Sequence, residues 1–494
     1  MVKPCVSGCK GLETEICEKA PRCSYANGEQ RQFCRLARTF KMRKRDCSVT
    51  RKTNKKQKKE IIGQFMKNTS VKRKALFLKS KCPDAGLCMI LGIDYKKIRD
   101  YFDAFTNFEY VHPPIKTIGA DSSNGFIKEL KYERNGYVSY ATLKSSKKTT
   151  ADNLGYEYVI GIGLNKWIDK YPCFLATYGQ YFYKDDASWE HIKDTKSVQP
   201  NVLNDSLELS NSYYDAKSHD SIQIRKICER SKYVAILTQH ISNAKSISDM
   251  LEHDDSFIMN ELLYVLYQVY LPLAVLDERF THYDLHMNNV LLYDVGQGKY
   301  IEYVYHMRDG AKVQFKSRYV AKIIDYGRSY YHEKDSKRSD SKTVHEALCV
   351  NPTCNQHGKC GIQSGLSYLD PKNNSVKSGD YIVSTKRNVS HDLRLLSLVG
   401  DSVNQYFSSE HTMYESMMYG MFEKVVFTGD YGTQEIVDSG NNTHINNVGD
   451  AEYELRGIIK NETVKAVNDK YCKKMTKLYT LHVYADGKTK MRVE

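Results

Sequence analysis

Long apolar runs are missing from this sequence. The longest extends from Leu262 to Leu276, and Gln268 and Pro272 interrupt it. Because a helix needs about 20 consecutive apolar residues to cross a bilayer, we expect no membrane span. The N-terminal segment also lacks the apolar core of a signal peptide. We therefore expect an intracellular protein.

Paired C-x-x-C units are also missing from the N-terminal segment, although it is rich in cysteine. Its six cysteines are Cys5, Cys9, Cys17, Cys23, Cys34 and Cys47. Free buried cysteines and a small helical knot closed by disulfides fit this segment equally well, although a reducing cytosol disfavours disulfides. Zinc is a weaker third interpretation, because zinc ribbons use paired ligands.

A second group of possible zinc ligands lies in the C-terminal half of the chain. It has the spacing C-x4-C-x2-H-x2-C and consists of Cys349, Cys354, His357 and Cys360. Four such side chains suffice to hold a zinc ion. The spacing matches no standard zinc knuckle, however, and His357 fits an ordinary surface histidine equally well. Zinc is therefore the less favoured interpretation here too.

Positive charge is unevenly distributed along the chain. The net charge is +14, and the segment Lys41 to Lys59 holds ten Lys or Arg residues against one acidic residue, Asp46. Such a block is most often a solvated linker. It would also attract nucleic acid or another polyanion without sequence preference. We expect residues 1–60 to form a cysteine-rich head followed by this basic linker.

The rest of the chain divides into three regions by its apolar pattern. Helical periodicity predicts an extension over residues 61–114. Strand-like segments predict a small β-rich lobe over 115–245, with a polar insertion at 185–220. Helical patterns predict a larger lobe over 246–494, with a long polar insertion at 328–388. The expected fold class is α+β with two lobes, and the sequence carries no signal for an oligomeric state.

The clearest chemical signal is the sequence HYDLHMNN at residues 282–289, which a short apolar strand follows. An aspartate with an asparagine five positions later suits phosphoryl transfer. The loop can aim Asp284 at an attacking hydroxyl while the Asn289 amide oxygen ligates a metal on the phosphates. The second carboxylate that such a metal requires is Asp325, in the sequence DYG after another apolar strand.

Two upstream residues complete the charges that this reaction needs. Lys144 ends the strand-like sequence ATLK, and a lysine ammonium is a compact cation suited to phosphates. Glu157 is the only glutamate between Lys144 and Ile162, so we predict that it pairs with Lys144. The segment from Gly119 to Gly125 precedes them and has the position of a phosphate-covering loop, although it departs from G-x-G-x-x-G.

These motifs, H-Y-D-L-H-x-x-N, D-Y-G and A-T-L-K, resemble the catalytic loop, the metal-binding Asp-Phe-Gly and the Val-Ala-Ile-Lys strand of protein kinases. The sequences DNLGYEYVIG, PCFLATYG and SHDLRLLS, with the cysteine-rich head, resemble the divergent serine/threonine kinases of large nucleocytoplasmic DNA viruses. The resemblance covers about residues 115–396. It implies a protein kinase-like fold, with a small β-rich N-lobe and a larger helical C-lobe, in a protein of the host cytoplasm and virion.

The resemblance also implies roles for individual residues, with ATP and Mg²⁺ as cofactors and a protein hydroxyl as acceptor. The cofactors would contact Gly119, Gly125, Lys144, Asn289 and Asp325. Asn289 and Asp325 would bind the magnesium ion, and Glu157 would hold Lys144. Asp284 would orient the acceptor hydroxyl and take its proton, with His286 beside it. Asp392 would anchor the backbone of the catalytic loop.

Several features depart from the kinase pattern. His286 stands where serine/threonine kinases carry lysine, and D-x-H also occurs in small-molecule kinases such as aminoglycoside and choline kinases. Tyr283 replaces the arginine that reads an activation-loop phosphate, so we expect no control by such phosphorylation. The degenerate glycine loop, the lack of Ala-Pro-Glu and the insertion at 328–388 leave a second alternative open. This is a pseudokinase or virion scaffold that binds partners or nucleic acid.

Overall fold

The computed structural model describes residues 14–19, 23–27, 32–36, 71–82, 85–119, 125–147, 153–210, 231–333, 340–342, 384–404, 406, 412–427, 434–438 and 443–494. Its contacts divide the chain into two compact units. The first comprises Met1–Pro83 with Asn135–Tyr137, and the second comprises Asp84–Arg134 with Val138–Glu494. Every residue to which we assign a role in phosphoryl transfer belongs to the second unit.

The first unit contains the cysteine-rich head. Its elements are helix α1 (Thr14–Lys19), the antiparallel strands β1 (Cys23–Asn27) and β2 (Gln32–Leu36), and helix α2 (Val71–Lys81). A disulfide joins Cys17 to Cys34. Of the alternatives for the head, this pair therefore follows the disulfide one. Cys5, Cys9, Cys47 and the basic segment 41–59 lie outside the described residues.

The second unit begins with two short helices and a seven-stranded sheet. The helices are α3 (Ala85–Ile90) and α4 (Tyr95–Tyr101). The strands are β3 (Val111–Ile118), β4 (Gly125–Arg134), β5 (Tyr137–Ser146), β6 (Thr177–Tyr183), β7 (Ser197–Val198), β8 (Leu207–Leu209) and β9 (Val234–Gln239). Their order in the sheet is β7-β3-β4-β5-β9-β6-β8.

The central strands of this sheet follow directly from the sequence. In β4 and β5 buried side chains alternate with more exposed ones, because successive side chains of a strand point to opposite faces. The turn between them is of the Asn-Gly type, in which both residues, Asn135 and Gly136, have positive φ, at 49° and 70°. Strand β3, however, begins at Val111, inside the range 61–114 that we assigned to a helical extension.

The polar region at 185–220, predicted as an insertion, is structured as far as the description extends, to residue 210. It contains helices α6 (Asp186–Asp194) and α7 (Pro200–Ser206), together with β7 and β8. Strand β7 pairs with β3 and strand β8 pairs with β6. The region therefore forms both edges of the seven-stranded sheet.

The remaining helices are mostly in the C-terminal half. They are α5 (Asn153–Leu164), α8 (Ile247–His253), α9 (Asp255–Asn260), α10 (Leu262–Val275), α11 (Arg394–Val403), α12 (Met413–Glu423), α13 (Val448–Lys460) and α14 (Glu462–Cys472). The longest apolar run of the sequence is α10, which is buried on nearly all sides as a core helix is. Among the described residues, no helix combines the length and apolarity that a bilayer crossing requires.

Three smaller sheets belong to the same half. Their strands are β10 (Lys245–Ser246), β11 (Phe280–Thr281), β12 (Val290–Asp294), β13 (Lys299–His306), β14 (Lys312–Ser317), β15 (Tyr319–Ile323), β16 (Tyr330–Tyr331), β17 (Thr476–Tyr484) and β18 (Arg492–Val493). The sheet orders are β10-β12-β15, β11-β16 and β14-β13-β17-β18. The fold is thus mixed α+β, as predicted.

One strand pair positions the predicted catalytic residues. Strands β12 and β15 are antiparallel, with Val290 opposite Ile323. Asn289 precedes β12 and Asp325 follows β15, so the two residues lie at the same end of the pair. A hydrogen bond from the Ile324 N–H to the Asn289 carbonyl oxygen (3.0 Å) extends the pairing to this point.

Candidate active site

The site contains a charged triad of Lys144, Glu157 and Asp325. The Lys144 ammonium lies 2.7 Å from the Glu157 carboxylate and 3.1 Å from the Asp325 carboxylate. Lys144 stands near the end of β5 and Glu157 in α5, where its side chain is buried. The structure therefore brings together the lysine and glutamate that the sequence analysis paired, and it adds the aspartate of the DYG sequence.

The triad is electrostatically coupled. Burial raises the pKa of Glu157 to about 7, although the charge of Lys144 opposes this. Burial also acts to raise the pKa of Asp325, but the neighbouring Lys144 ammonium outweighs it and holds that pKa below its usual value. The Asp325 side chain is 42% exposed, so a carboxylate at this position can still face a ligand.

The backbone presents Asp325 in an unusual conformation. Its φ of 66° and ψ of 71° lie in the left-handed region, which costs a residue with a side chain about 1–3 kcal/mol. The strand before it is fixed by Gln268 of α10, whose side chain accepts from the Ala321 N–H (3.0 Å) and donates to the Tyr319 carbonyl oxygen (3.1 Å). These hydrogen bonds from α10 therefore fix the position of β15 and, through it, the position of Asp325.

The loop that carries Asp284 is held by a second buried carboxylate. Asp392 accepts from the backbone N–H groups of His282 (2.7 Å) and Tyr283 (2.9 Å). Tyr283 itself has a positive φ of 64°. Burial raises the pKa of Asp392 to about 7, while the two N–H donors act in the opposite direction. The predicted anchoring role of Asp392 thus has a direct geometric basis.

The ring of His282 connects this loop to the DYG segment. Its Nε2 lies 2.9 Å from the Ile324 carbonyl oxygen, and its Nδ1 accepts from the Asp284 N–H (3.2 Å). Only the neutral ring with its proton on Nε2 satisfies both partners. Burial lowers the pKa of His282, which agrees with that neutral form. His282 therefore fixes the backbone at Asp284 relative to the residue before Asp325.

The side-chain amide of Asn289 forms a hydrogen bond through its nitrogen atom. Its Nδ2 donates to the Asp284 carbonyl oxygen at 2.8 Å, and the residue is buried with 6% exposure. This bond leaves the side-chain oxygen as the atom available to a metal. Since Asn289 directly precedes β12 and Asp325 follows its antiparallel neighbour β15, the predicted pair of metal ligands lies at the same end of the two strands.

The Asp284 carboxylate is surrounded by cationic or basic side chains. Arg394 Nη1 lies 2.9 Å from Oδ1, and Arg328 Nη1 lies 3.5 Å from Oδ2. His286 Nε2 is 3.9 Å from Oδ1. Burial lowers the pKa of His286, the neighbouring Asp284 carboxylate opposes this, and the charge of Arg394 acts in the same direction as burial. His286 is therefore neutral at pH 7, and the charges beside Asp284 come from the two arginines.

The two predicted loop glycines, Gly119 and Gly125, differ in how closely other atoms approach them. A Cβ on Gly125 would lie 2.3 Å from the Ser145 carbonyl oxygen, so Gly125 is required by the close approach of β4 and β5. Gly119 has a φ of 77°, and a Cβ added to it would meet no atom of the described residues within 4 Å. Residues 120–124 between them lie outside the described residues. The zinc candidates Cys349, Cys354, His357 and Cys360 also lie outside them.

Sequence reasoning missed both arginines that contact Asp284. Arg394 is separated from Asp284 by 110 residues, and no local pattern predicts such a contact. The one available signal was its place two residues after Asp392, in the sequence HDLR. Arg328 directly follows DYG. The sequence therefore shows that Arg328 is close to Asp325, but it does not show that Arg328 contacts Asp284.

No protein-family model and no curated protein matches this sequence. The clearest indications of function are therefore the side chains that the structure brings together. One group is the triad of Lys144, Glu157 and Asp325, and the other is the loop that carries Asp284 and Asn289. The β12–β15 pair and His282 connect the two groups.

Proposed function

We propose that this protein is an ATP- and magnesium-dependent protein kinase of the serine/threonine type, with a kinase-like two-lobed fold. The observation that supports the proposal best is the Lys144 triad, with Asp325 at the same strand end as Asn289 and directly after Ile324, to which His282 of the Asp284 loop is hydrogen-bonded. Phosphoryl transfer needs these charges in this combination, because it depends on positioning and on neutralising the phosphates. The resemblance to kinases of large DNA viruses adds a proposed location in the host cytoplasm and virion.

The ligand atoms at this site fit a magnesium ion. Asp325 offers a partly exposed carboxylate with a lowered pKa, and Asn289 offers its side-chain oxygen. Magnesium prefers oxygen ligands and is usually held by one or two protein side chains together with phosphates. When bound, the ion would neutralise charge on the phosphates. Asn289 and Asp325 would hold it.

The other side chains act on the nucleotide and the acceptor. Lys144, oriented by the buried Glu157, offers its ammonium to the nucleotide phosphates. Asp284 accepts the hydrogen bond of the attacking hydroxyl and receives its proton. The N–H groups that Asp392 and His282 engage keep the loop in place, so Asp284 keeps its orientation without any modification of the chain.

The test is label transfer from γ-labelled ATP to a basic protein, with and without Mg²⁺. General acid–base and metal contributions are each about 10²-fold or more, so Asp284→Asn and Asp325→Asn should each lose at least about 99% of the activity. Asp401→Asn, an exposed position on α11, is the matched control and should retain activity. Label transfer that survives both site substitutions would refute the proposal.

A small-molecule kinase is the second candidate, because His286 lies beside Asp284 as in the D-x-H sequence of such enzymes. A panel of amino sugars and amino alcohols, assayed against the basic protein, separates the two candidates. A pseudokinase scaffold would instead bind ATP in the presence of Mg²⁺ and turn over nothing in the panel. Turnover of the protein substrate alone supports the first proposal.

A further inference from the structure

Arg394 is the first residue of α11 and lies two residues after Asp392, the carboxylate that accepts from the backbone N–H groups of His282 and Tyr283. A short 3-10 turn, His391–Leu393, leads directly into the helix at this point. This turn presents Arg394 to the same loop that carries Asp284.

Arg394 contacts the Asp284 carboxylate. Arg394 Nη1 donates to Oδ1 at 2.9 Å, and both side chains are largely shielded, with 29% and 17% exposure. A guanidinium has five N–H donors in a rigid plane. A guanidinium that holds Asp284 through one donor therefore still has donors for a second anion.

The residue that would supply a cation in serine/threonine kinases cannot do so here. His286 stands at the position of their lysine, but its Nε2 is 3.9 Å from Asp284 Oδ1, beyond hydrogen-bonding distance. The acceptor side of the site therefore needs its positive charge from another residue.

We propose that Arg394 is that residue, holding Asp284 and contacting the phosphoryl group as it is transferred. This inference rests on the proposed function. In the step, the acceptor oxygen bonds to the γ-phosphorus and the bond from that phosphorus to the bridging oxygen of ADP breaks. The hydroxyl proton passes to Asp284, and Arg394 exchanges no proton.

The test compares Arg394→Met, Arg394→Lys and the double variant Arg394→Met with His286→Lys. We expect Arg394→Met to lower kcat about 100-fold with less than a threefold change in the KM for ATP, because the contact forms with the transferred group. Arg394→Lys should lose about tenfold or less. The double variant should recover at least tenfold over Arg394→Met, because it returns the cation to the position that kinases use.

Arg387→Met is the matched control. Arg387 pairs with Glu435 at 2.7 Å and does not contact Asp284, so its kcat should stay within threefold of the wild type. If Arg394→Met does not fold, as judged by thermal unfolding, Arg394→Gln is measured against the same expectations. Unchanged binding of ATP by the variant then shows that the loss concerns the transfer step.

The outcomes separate this inference from the proposed function. A wild type that transfers no phosphoryl group would overturn the proposed function and this inference with it. An active wild type with Arg394→Met within threefold of it would overturn this inference alone. A double variant that remains as slow as Arg394→Met would make Arg394 a structural residue and would overturn the inference as well.

Discussion

At the scale of single residues, the site contains residues held in backbone conformations or protonation states that they would not adopt on their own. Tyr283 and Asp325 both have positive φ, at 64° and 66°. Such conformations cost about 1–3 kcal/mol and persist only where the surroundings enforce them. Here the surroundings are the Asp392 carboxylate under Tyr283 and the Gln268-anchored strand before Asp325.

His391 is another such residue, and its burial predicts a dependence of stability on pH. Burial lowers its pKa to about 3, with the charge of Arg394 adding to the effect, and neither ring nitrogen has a hydrogen-bond partner among the described residues. As the pH falls below 6.5, the unfolded chain binds a proton at this residue while the folded chain does not. The stability that the neutral ring contributes is therefore present above pH 6.5 and lost progressively towards pH 3.

The variant His391→Phe should remove this loss, because the ring can still pack against Tyr283 and Phe427. Between pH 6.5 and 5, the free energy of unfolding of the wild type should fall by about 2 kcal/mol relative to His391→Phe. Denaturant unfolding at both pH values measures the difference. The exposed His253→Phe serves as control, and an equal pH response in wild type and His391→Phe would contradict the prediction.

At the scale of secondary-structure elements, α10 supports the site through one polar side chain. Strand β15 is the edge of its sheet, so backbone groups on its outer side need other partners. Gln268 supplies them at Tyr319 and Ala321, as a fully buried residue inside an otherwise apolar helix. The sequence shows Gln268 only as an interruption of an apolar run, whereas the structure gives it a function in positioning Asp325.

Gln268→Leu should therefore weaken both stability and activity. It leaves the Ala321 N–H buried without its acceptor, which costs about 1–3 kcal/mol, and it loosens the strand that delivers Asp325, so kcat should fall. Tyr303→Phe is the matched control. It removes a different donor to the Tyr319 carbonyl oxygen (3.0 Å) and leaves Gln268 in place, so its effect should be smaller. Equal effects of the two substitutions on kcat would argue against this role of Gln268.

The elements also show what the sequence could predict. The Asn135-Gly136 turn and the alternation of β4 and β5 are local properties, and they were predictable for that reason. Strand β3 was placed too late because Pro113 and Pro114 interrupt its pattern, and proline cannot donate to a strand ladder. Strands β7 and β8 have two and three residues, which is too short for any periodicity to indicate.

Within the site, too, features that depend on neighbouring residues were predictable and long-range contacts were not. Asp284, Asn289 and Asp325 were predicted because each belongs to a short motif whose chemistry depends on nearby residues. The role of Arg394 depends on a contact over 110 residues, and it was missed because a sequence pattern has no information about such a distance. The contact between Lys144 and Glu157 was predicted because few carboxylates follow Lys144 in the sequence.

At the scale of the whole molecule, the basic segment Lys41 to Lys59 and the candidate catalytic residues lie in different parts of the chain. The residues of the site belong to the second unit, whereas the basic segment precedes it in the sequence. Ten cations within Lys41 to Lys59 should bind polyanions through the release of counterions, with steep dependence on salt. We expect this binding to be independent of phosphoryl transfer.

Deletion of residues 41–59 should accordingly abolish retention on heparin at low salt and leave kcat within threefold. The measurements are the salt concentration of elution and the rate of label transfer. A variant that replaces the ten cations with glutamine is the control for chain length. Retention that persists in both variants would show that the polyanion contacts lie elsewhere in the chain.

The pairing of β13 with β17 has a consequence for the order of assembly during synthesis. These two strands run parallel although they are far apart in the sequence, and the β13–β14 hairpin lies between the Asp284 loop and Asp325. A ribosome therefore produces the hairpin long before the strand that covers its edge. Until then the nascent chain presents an open strand edge, which neighbouring polypeptides can join. Translation that stops before residue 476 would leave this edge exposed and would make the truncated chain a substrate for chaperones.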